Sequence, residues 1–241
     1  WDNKGTFTHG SNIVNFNSAL GTQTVNAGTS SFNTINILNG STLEPKTSGL
    51  QATTINVSSG ELDMSAYNQD LTVGTLNISA GQEYNTGLGF QTITTLENYG
   101  TVTCSGSGYI SGMSVFTMNN YAGSLWDYSK TSGGVFVIPA TYHNLTFSGA
   151  ASFSLFDSVY ANGDLTVSGG TLAIGSRTMD VVGNVYNTSN ITISTGTLDV
   201  DGDIDTDSGS LACSSSSIIN LGGDWFGGTG AFTAGTSTVT F

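Results

Sequence analysis

The chain has 241 residues, with 17 Asp or Glu against four Lys or Arg, so its formal net charge is −13. A surface this acidic repels nucleic-acid phosphates and anionic lipid headgroups, and we expect neither nucleic acid nor a membrane surface as a partner. The sequence contains no run of 18 apolar residues, so it also predicts no membrane insertion.

A short alternation of polar and apolar residues recurs along the chain with a period of about 20 residues. It is found at residues 34–37, 54–57 and 75–78, and again at 144–147, 164–167, 184–185 and 203–204. A second strand signal follows a Gly or Ser-Gly turn in each repeat, as at residues 60–64 and 170–174. The pattern predicts an all-β fold, a parallel β-helix or β-solenoid with one rung per repeat.

The alternation also predicts which side chains stack on one another from rung to rung. Successive residues of a strand point to opposite faces. The predicted inner column is Ile35, Ile55, Leu76 and Leu96, and the outer one is Asn36, Asn56, Asn77 and Glu97. A predicted turn column holds Asp164, Asn184, Asp203 and Asp224. Polar columns of this kind hydrogen-bond along the stack.

The middle of the chain is less regular than the rest. From about residue 81 to residue 140 the turns are longer and aromatic residues crowd together, and the register restarts near Pro139. We interpret residues 1–241 as a single continuous solenoid with a bulged segment at about 81–140. A solenoid in two segments is the alternative.

The two cysteines are far apart in the predicted stack. Cys104 and Cys213 are separated by about five rungs, or roughly 25 Å at the usual strand spacing. A disulfide requires Cα atoms within about 7 Å of each other. We therefore expect two buried thiols that form no disulfide.

The first and last rungs share a sequence pattern. Residues 5–16 and 230–241 both read G-x-F-T-x-G-x-x-x-V-x-F. Neither rung contains a polar or helical cap, so strand edges there would stay open to pairing. We expect the chain to represent slightly more than one period of an array, with copies of itself or flanking repeats as end-to-end partners.

Several runs resemble repeats of very large exported surface proteins of bacteria and archaea. They are YHNLT at residues 142–146, GDLTVSGGTLAI at 163–174, the run at 223–241 and the run at 14–37. The resemblance covers residues 1–57 and 142–241 and does not extend to 81–140. It implies a right-handed β-helical stalk or fibre, located outside the cell or on its surface and used for attachment. No catalytic residue carries over.

Five aspartates alternate in one short stretch and suggest a metal site. They are Asp199, Asp201, Asp203, Asp205 and Asp207. Oxygen ligands at alternate positions are typical of the start of a calcium loop, although the Glu that closes an EF-hand loop has no counterpart here. The sequence predicts calcium as the one candidate cofactor at these residues. A solvated acidic face is the alternative.

Two aromatic residues flank a carboxylate in the irregular segment. Trp126 and Tyr128 lie on either side of Asp127, a combination suited to stacking on a sugar. These three residues are the predicted carbohydrate-binding site. The alternative is that both rings fill the core.

No pattern in the sequence favours catalysis. Its four basic residues are scattered, and neither a nucleophile motif nor a metalloprotease motif is present. We therefore predict no enzyme. The predicted function is an extracellular structural or adhesive segment of a surface fibre, stalk or filament. The alternative is a carbohydrate-binding or polysaccharide-degrading β-helix protein.

Overall fold

The computed structural model describes residues 1–2, 5, 7–19, 21–106 and 113–241. Every regular element within these residues is a β-strand, and every pair of neighbouring strands with a defined register is parallel. Two compact units are present, Trp1–Ser124 and Leu125–Phe241. In each unit, coils of about 20 residues stack in parallel, which confirms the predicted β-solenoid.

The first unit, called unit 1, is built from two sheets. Its strands are β1 (Ile13–Phe16), β2 (Thr22–Val25), β3 (Phe32–Ile37), β4 (Ser41–Pro45), β5 (Leu50–Val57), β6 (Gly60–Asp63), β7 (Leu71–Ile78), β8 (Glu83–Asn85), β9 (Gln91–Asn98), β10 (Thr101–Cys104) and β11 (Met113–Asn120). Sheet 1 has the order β1-β3-β5-β7-β9-β11, and sheet 2 contains β2-β4-β6-β8-β10. Each coil therefore contributes one strand to each sheet.

The second unit, unit 2, has three shorter strands in each coil. They are β12 (Leu125–Tyr128), β13 (Gly134–Val137), β14 (Thr141–Tyr142), β15 (Asn144–Phe147), β16 (Ser152–Leu155), β17 (Val159–Ala161), β18 (Leu165–Val167), β19 (Thr171–Gly175), β20 (Thr178–Val181), β21 (Val185–Asn187), β22 (Asn190–Ile193), β23 (Thr197–Val200), β24 (Ile204–Asp205), β25 (Ser210–Cys213), β26 (Ile218–Leu221), β27 (Trp225–Phe226), β28 (Ala231–Thr233) and β29 (Thr238–Thr240). Three sheets result, with the orders β12-β15-β18-β21-β24-β27, β13-β16-β19-β22-β25-β28 and β14-β17-β20-β23-β26-β29.

The predicted inner column of unit 1 is confirmed. Ile35 pairs with Ile55, Ile55 with Leu76 and Leu76 with Leu96, each in direct register. All four side chains are fully buried. The side-chain period of two is thus maintained over successive coils, and it places one apolar residue above another through the core.

The predicted outer column is a ladder of asparagine side chains. The Nδ2 of Asn36 donates to Oδ1 of Asn15 at 2.9 Å, Asn56 donates to Asn36 at 2.8 Å, and Asn77 donates to Asn56 at 2.7 Å. Glu97 occupies the next position and accepts a bond from Nδ2 of Asn119 at 3.0 Å. Each rung of the ladder reinforces the backbone pairing beneath it.

The predicted turn column of unit 2 is also confirmed, with a different bond from the one expected. Each side chain accepts a hydrogen bond from the backbone N–H one coil later. Asp203 accepts from Asp224 N–H at 2.8 Å, Asn184 from Asp203 at 2.8 Å, and Asp164 from Asn184 at 2.8 Å. A glycine precedes each donor, and a Cβ on Gly183 would lie 2.6 Å from the backbone carbonyl of Gly163. Only glycine therefore admits this close approach.

The bulged segment predicted at about 81–140 contains the border between the two units, and residues 107–112 of it lie outside the described residues. One continuous solenoid over the whole chain stays a prediction. Both cysteines are buried and neither forms a disulfide, as expected. Over the described residues, no helix is long and apolar enough to cross a membrane.

The register makes neighbouring residues unequal in their effect on stability. Truncating Ile55 to Ala should cost about 2–5 kcal/mol in the free energy of unfolding, because it leaves a cavity in a fully packed column. Asn56→Ala, which faces outward, should cost under half as much. Denaturant unfolding of both variants measures the difference, and equal losses would contradict this register.

Candidate functional site

The structure spreads the five aspartates of the predicted calcium site around a corner of the coil. Asp199 lies on β23 and Asp205 on β24, strands that belong to different sheets. The Oδ1 of Asp203 accepts the Asp224 N–H, and Oδ1 of Asp205 accepts the Asp207 N–H at 3.0 Å. Across the described chain, no group of three or more His, Cys, Asp or Glu residues is placed to hold a metal ion. Calcium binding stays a prediction.

One of these aspartates belongs instead to an outward-facing acidic pair. Asp199 lies in direct register with Asp180 on the neighbouring coil. Partial burial, followed by repulsion from the carboxylates of Asp199 and Asp201, raises the pKa of Asp180. The carboxylates of Asp180 and Asp199 therefore repel each other across the two coils.

The predicted carbohydrate residues lie on strand β12, and two of the three point into the core. Trp126 and Tyr128 are both fully buried. The Tyr128 hydroxyl accepts the Ile138 N–H at 2.9 Å and lies 3.0 Å from the Tyr142 hydroxyl. The strand alternation turns only Asp127 outward, where its carboxylate accepts the Ser148 hydroxyl at 2.8 Å. Neither ring presents a face to a sugar.

A second acidic column lies on sheet 2 of unit 1, which we call the glutamate column. Glu61 and Glu83 are in direct register, and Asp63 is two residues along the strand from Glu61. Burial, then the Asp63 and Glu83 carboxylates, raise the pKa of Glu61 to about 7. Burial and Asp63 likewise raise the pKa of Glu44. The Thr42 hydroxyl lies 3.4 Å from a Glu61 oxygen and opposes the shift only in part.

The glutamate column predicts a pH-dependent stability. A carboxyl whose pKa is higher in the folded state holds its proton more tightly there, so stability is present at low pH and is lost as pH rises from about 4.5 to about 7. The melting temperature should therefore be higher at about pH 5 than at about pH 8. Glu61→Gln should reduce this difference in melting temperature, and it should raise the melting temperature at the higher pH. The exposed carboxylate variant Asp157→Asn is the control, and an equal reduction there would contradict the assignment.

An exposed aromatic pair in unit 1 was not predicted from the sequence. The rings of Tyr99 and Tyr121 stack in parallel, with centroids 3.9 Å apart and planes inclined by 1°. The Tyr121 hydroxyl donates to Oε2 of Glu97 at 2.7 Å, and this bond is the main reason that its pKa is raised. We call these two residues the tyrosine pair. A signal was present in the sequence, because Asn-Tyr occurs at 98–99 and again one coil later at 120–121.

The first coil of unit 1 and the last coil of unit 2 have matching aromatic packing. Trp1 lies 5.4 Å from Phe7 between ring centroids, and Trp225 lies 4.8 Å from Phe232. The backbone carbonyl of Trp1 accepts a hydrogen bond from the N–H of Asn26, the residue that follows β2, at 2.8 Å. Each Trp is thus followed by a Phe packed against it and then by the shared V-x-F sequence, which lies in β1 in the first coil and begins in β29 in the last.

Apolar surface is open on both of these coils. A groove of about 290 Å³ beside the first coil is lined mainly by Trp1, Phe7, Val14, Phe16 and Phe32. In the last coil Phe232 is 42% exposed and Phe241 is 80% exposed. The register partner of Phe232 in the preceding coil is Leu211, which is buried.

Neither a family model, nor a curated protein, nor a solved structure matches the chain.

Proposed function

We propose that the chain is a structural, adhesive segment of an extracellular surface fibre, stalk or filament, in which coils continue end to end. The sequence match between the first coil and the last coil of unit 2 carries this proposal. The strands of the last coil, β27, β28 and β29, each stand at the end of their sheet and pair with a strand on one side only. Backbone N–H and C=O groups along such an edge pair readily with a further strand.

The matching first coil supplies the chemistry of a suitable partner. With residues 5–16 aligned on 230–241, Phe7, Val14 and Phe16 correspond to Phe232, Val239 and Phe241. A coil of the first sequence laid on the last would place each of these residues above its equivalent. Like-on-like stacking is already the rule inside unit 1, where Asn36, Asn56 and Asn77 form one column.

Two arrangements satisfy this pairing. In a covalent array, sequence like that of residues 17–25 follows Phe241 and supplies the next strand. In a filament, a second copy stacks its first coil on the last coil of its neighbour, a heterologous contact that grows without closing. A lattice of such chains differs only in lateral contacts. All of them make the chain a unit of a longer assembly.

The remaining surface suits an exported location. The outward positions are mostly Asn, Thr, Ser and Asp, and the net charge of −13 keeps such a surface soluble and unattractive to nucleic acid. The resemblance of residues 142–146 and 163–174 to repeats of exported surface proteins points the same way. In this proposal, side chains of the outer columns make the contacts by which the fibre attaches.

The filament arrangement is tested on the 241-residue chain itself. Electron microscopy and sedimentation velocity should show linear rods whose length increases with protein concentration. Phe232→Asp, which charges the open apolar coil, should return the chain to single copies. Phe136→Asp, at a residue similarly exposed on a side face of unit 2, is the matched control and should leave the rods intact.

The covalent arrangement needs a second chain in which residues 17–241 follow Phe241 once more. This doubled chain should melt above the single one, because it covers one open coil with another. Single copies at every concentration, together with a doubled chain that melts no higher than the single one, would refute both arrangements.

A further inference from the structure

The tyrosine pair is oriented along the stacking direction of the coils. Tyr99 and Tyr121 directly follow Asn98 and Asn120, which are partners in the register of β9 and β11. The two parallel rings therefore come from successive coils, and their normals run from one coil to the next. One face of Tyr99 is covered by Tyr121, at a centroid distance of 3.9 Å that excludes water. The other face is directed toward the preceding coil.

The preceding coil has a small residue at the equivalent position. Ile78 is the register partner of Asn98, so Ser79 corresponds to Tyr99. A serine side chain is too short to cover a phenol ring, and Tyr99 remains 45% exposed although Tyr121 lies against it. Ser79 and the uncovered ring face of Tyr99 therefore form an open step on the surface, which we call the ledge.

The floor of this ledge contains two hydrogen-bond acceptors that face each other. Asn77 continues the asparagine ladder by donating to Asn56, and its own Oδ1 would be the acceptor for the next coil. The next residue in register is Glu97, whose carboxylate has no N–H to donate. Within the described chain no hydrogen bond to Oδ1 of Asn77 is formed. Adjacent acceptors one coil apart, about 4.8 Å, call for donors from outside the protein.

The acceptors and the ring belong to one site. The Tyr121 hydroxyl reaches back to Glu97 at 2.7 Å, so the stacked rings lean over the column that contains Glu97 and Asn77. Glu97 is held on its other side by Nδ2 of Asn119 at 3.0 Å. A fixed aromatic wall and a fixed pair of acceptors are therefore present on one exposed face of unit 1.

We infer that this ledge is a saccharide-binding site, in which a pyranose ring stacks on the open face of Tyr99 and donates hydroxyl hydrogen bonds to Asn77 and Glu97. A pyranose has an apolar C–H face that matches an aromatic ring and neighbouring hydroxyls that match two acceptors. The carboxylate and the net charge of −13 favour a neutral sugar over an acidic one. The site goes beyond the proposed function and does not depend on it, because all its residues lie in unit 1 of a single chain.

Titration calorimetry with cellohexaose and with β-1,4-linked mannohexaose tests the site on the full chain. At least one should bind with a dissociation constant of about 1 mM or tighter, and hexagalacturonate should bind more weakly than either. Tyr99→Leu, which keeps the bulk and removes the ring, should weaken binding roughly five- to tenfold. Tyr99→Phe should bind within about twofold of the unmodified chain.

Two further variants separate binding from structure. Tyr160→Leu removes a tyrosine of similar exposure from unit 2 and should leave binding unchanged. Glu97→Gln replaces one of the two carboxylate oxygens with an N–H that can donate to Asn77, which removes acceptors from the site, so it should weaken saccharide binding. Binding of neither hexasaccharide, or an equal loss in Tyr99→Leu and Tyr160→Leu, would overturn the inference. Filament formation is measured without sugar, so either proposal can fail while the other stands.

Discussion

The hydrogen bonds between successive coils are the interaction on which the rest of the structure depends. They run through the strands and continue past the strand ends, where the N–H groups of Ser58, Ser79 and Tyr99 each bond to a carbonyl of the coil before. Because each coil satisfies its backbone only through its neighbours, the register of one pair determines the register of the next. Core columns and polar ladders both follow from that single requirement.

The same requirement explains which features could be predicted from the sequence. The Ile35 column follows from a period of two within strands and a period of about 20 between them, and both are visible in the residues. The turn column at Asp203 was visible for the same reason. Its bond to the Asp224 backbone was not, since that depends on how closely the glycine turns approach one another.

Other features depend on three-dimensional detail that the repeat does not encode. In unit 1, Thr53 and Thr54 both face outward, and the register of β5 with β7 skips Thr53. Such a bend lets one long strand take the place of two short strands in each coil of unit 1, whereas each coil of unit 2 has three short strands. At Trp126 and Tyr128 the buried rings agree with the alternative in which both fill the core, and the repeat pattern does not show which side of a strand faces the core in this irregular segment. The stacked pair of Tyr99 and Tyr121 is foreshadowed by the Asn-Tyr dipeptide that recurs at the same position of successive coils.

The ladder of Asp and Asn side chains in unit 2 bears on how the stack would respond to tension. A pull along the stacking direction loads every bond of one coil boundary at once, and the boundary with the fewest bonds gives way first. Strands β24 and β27 are in register over only two residues, Ile204–Asp205 against Trp225–Phe226. At that boundary the Asp203 carboxylate adds its bond to the Asp224 N–H at 2.8 Å. The ladder thus adds a bond beside a short strand pair, and its loss there would lower the rupture force more than the same loss beside a longer strand.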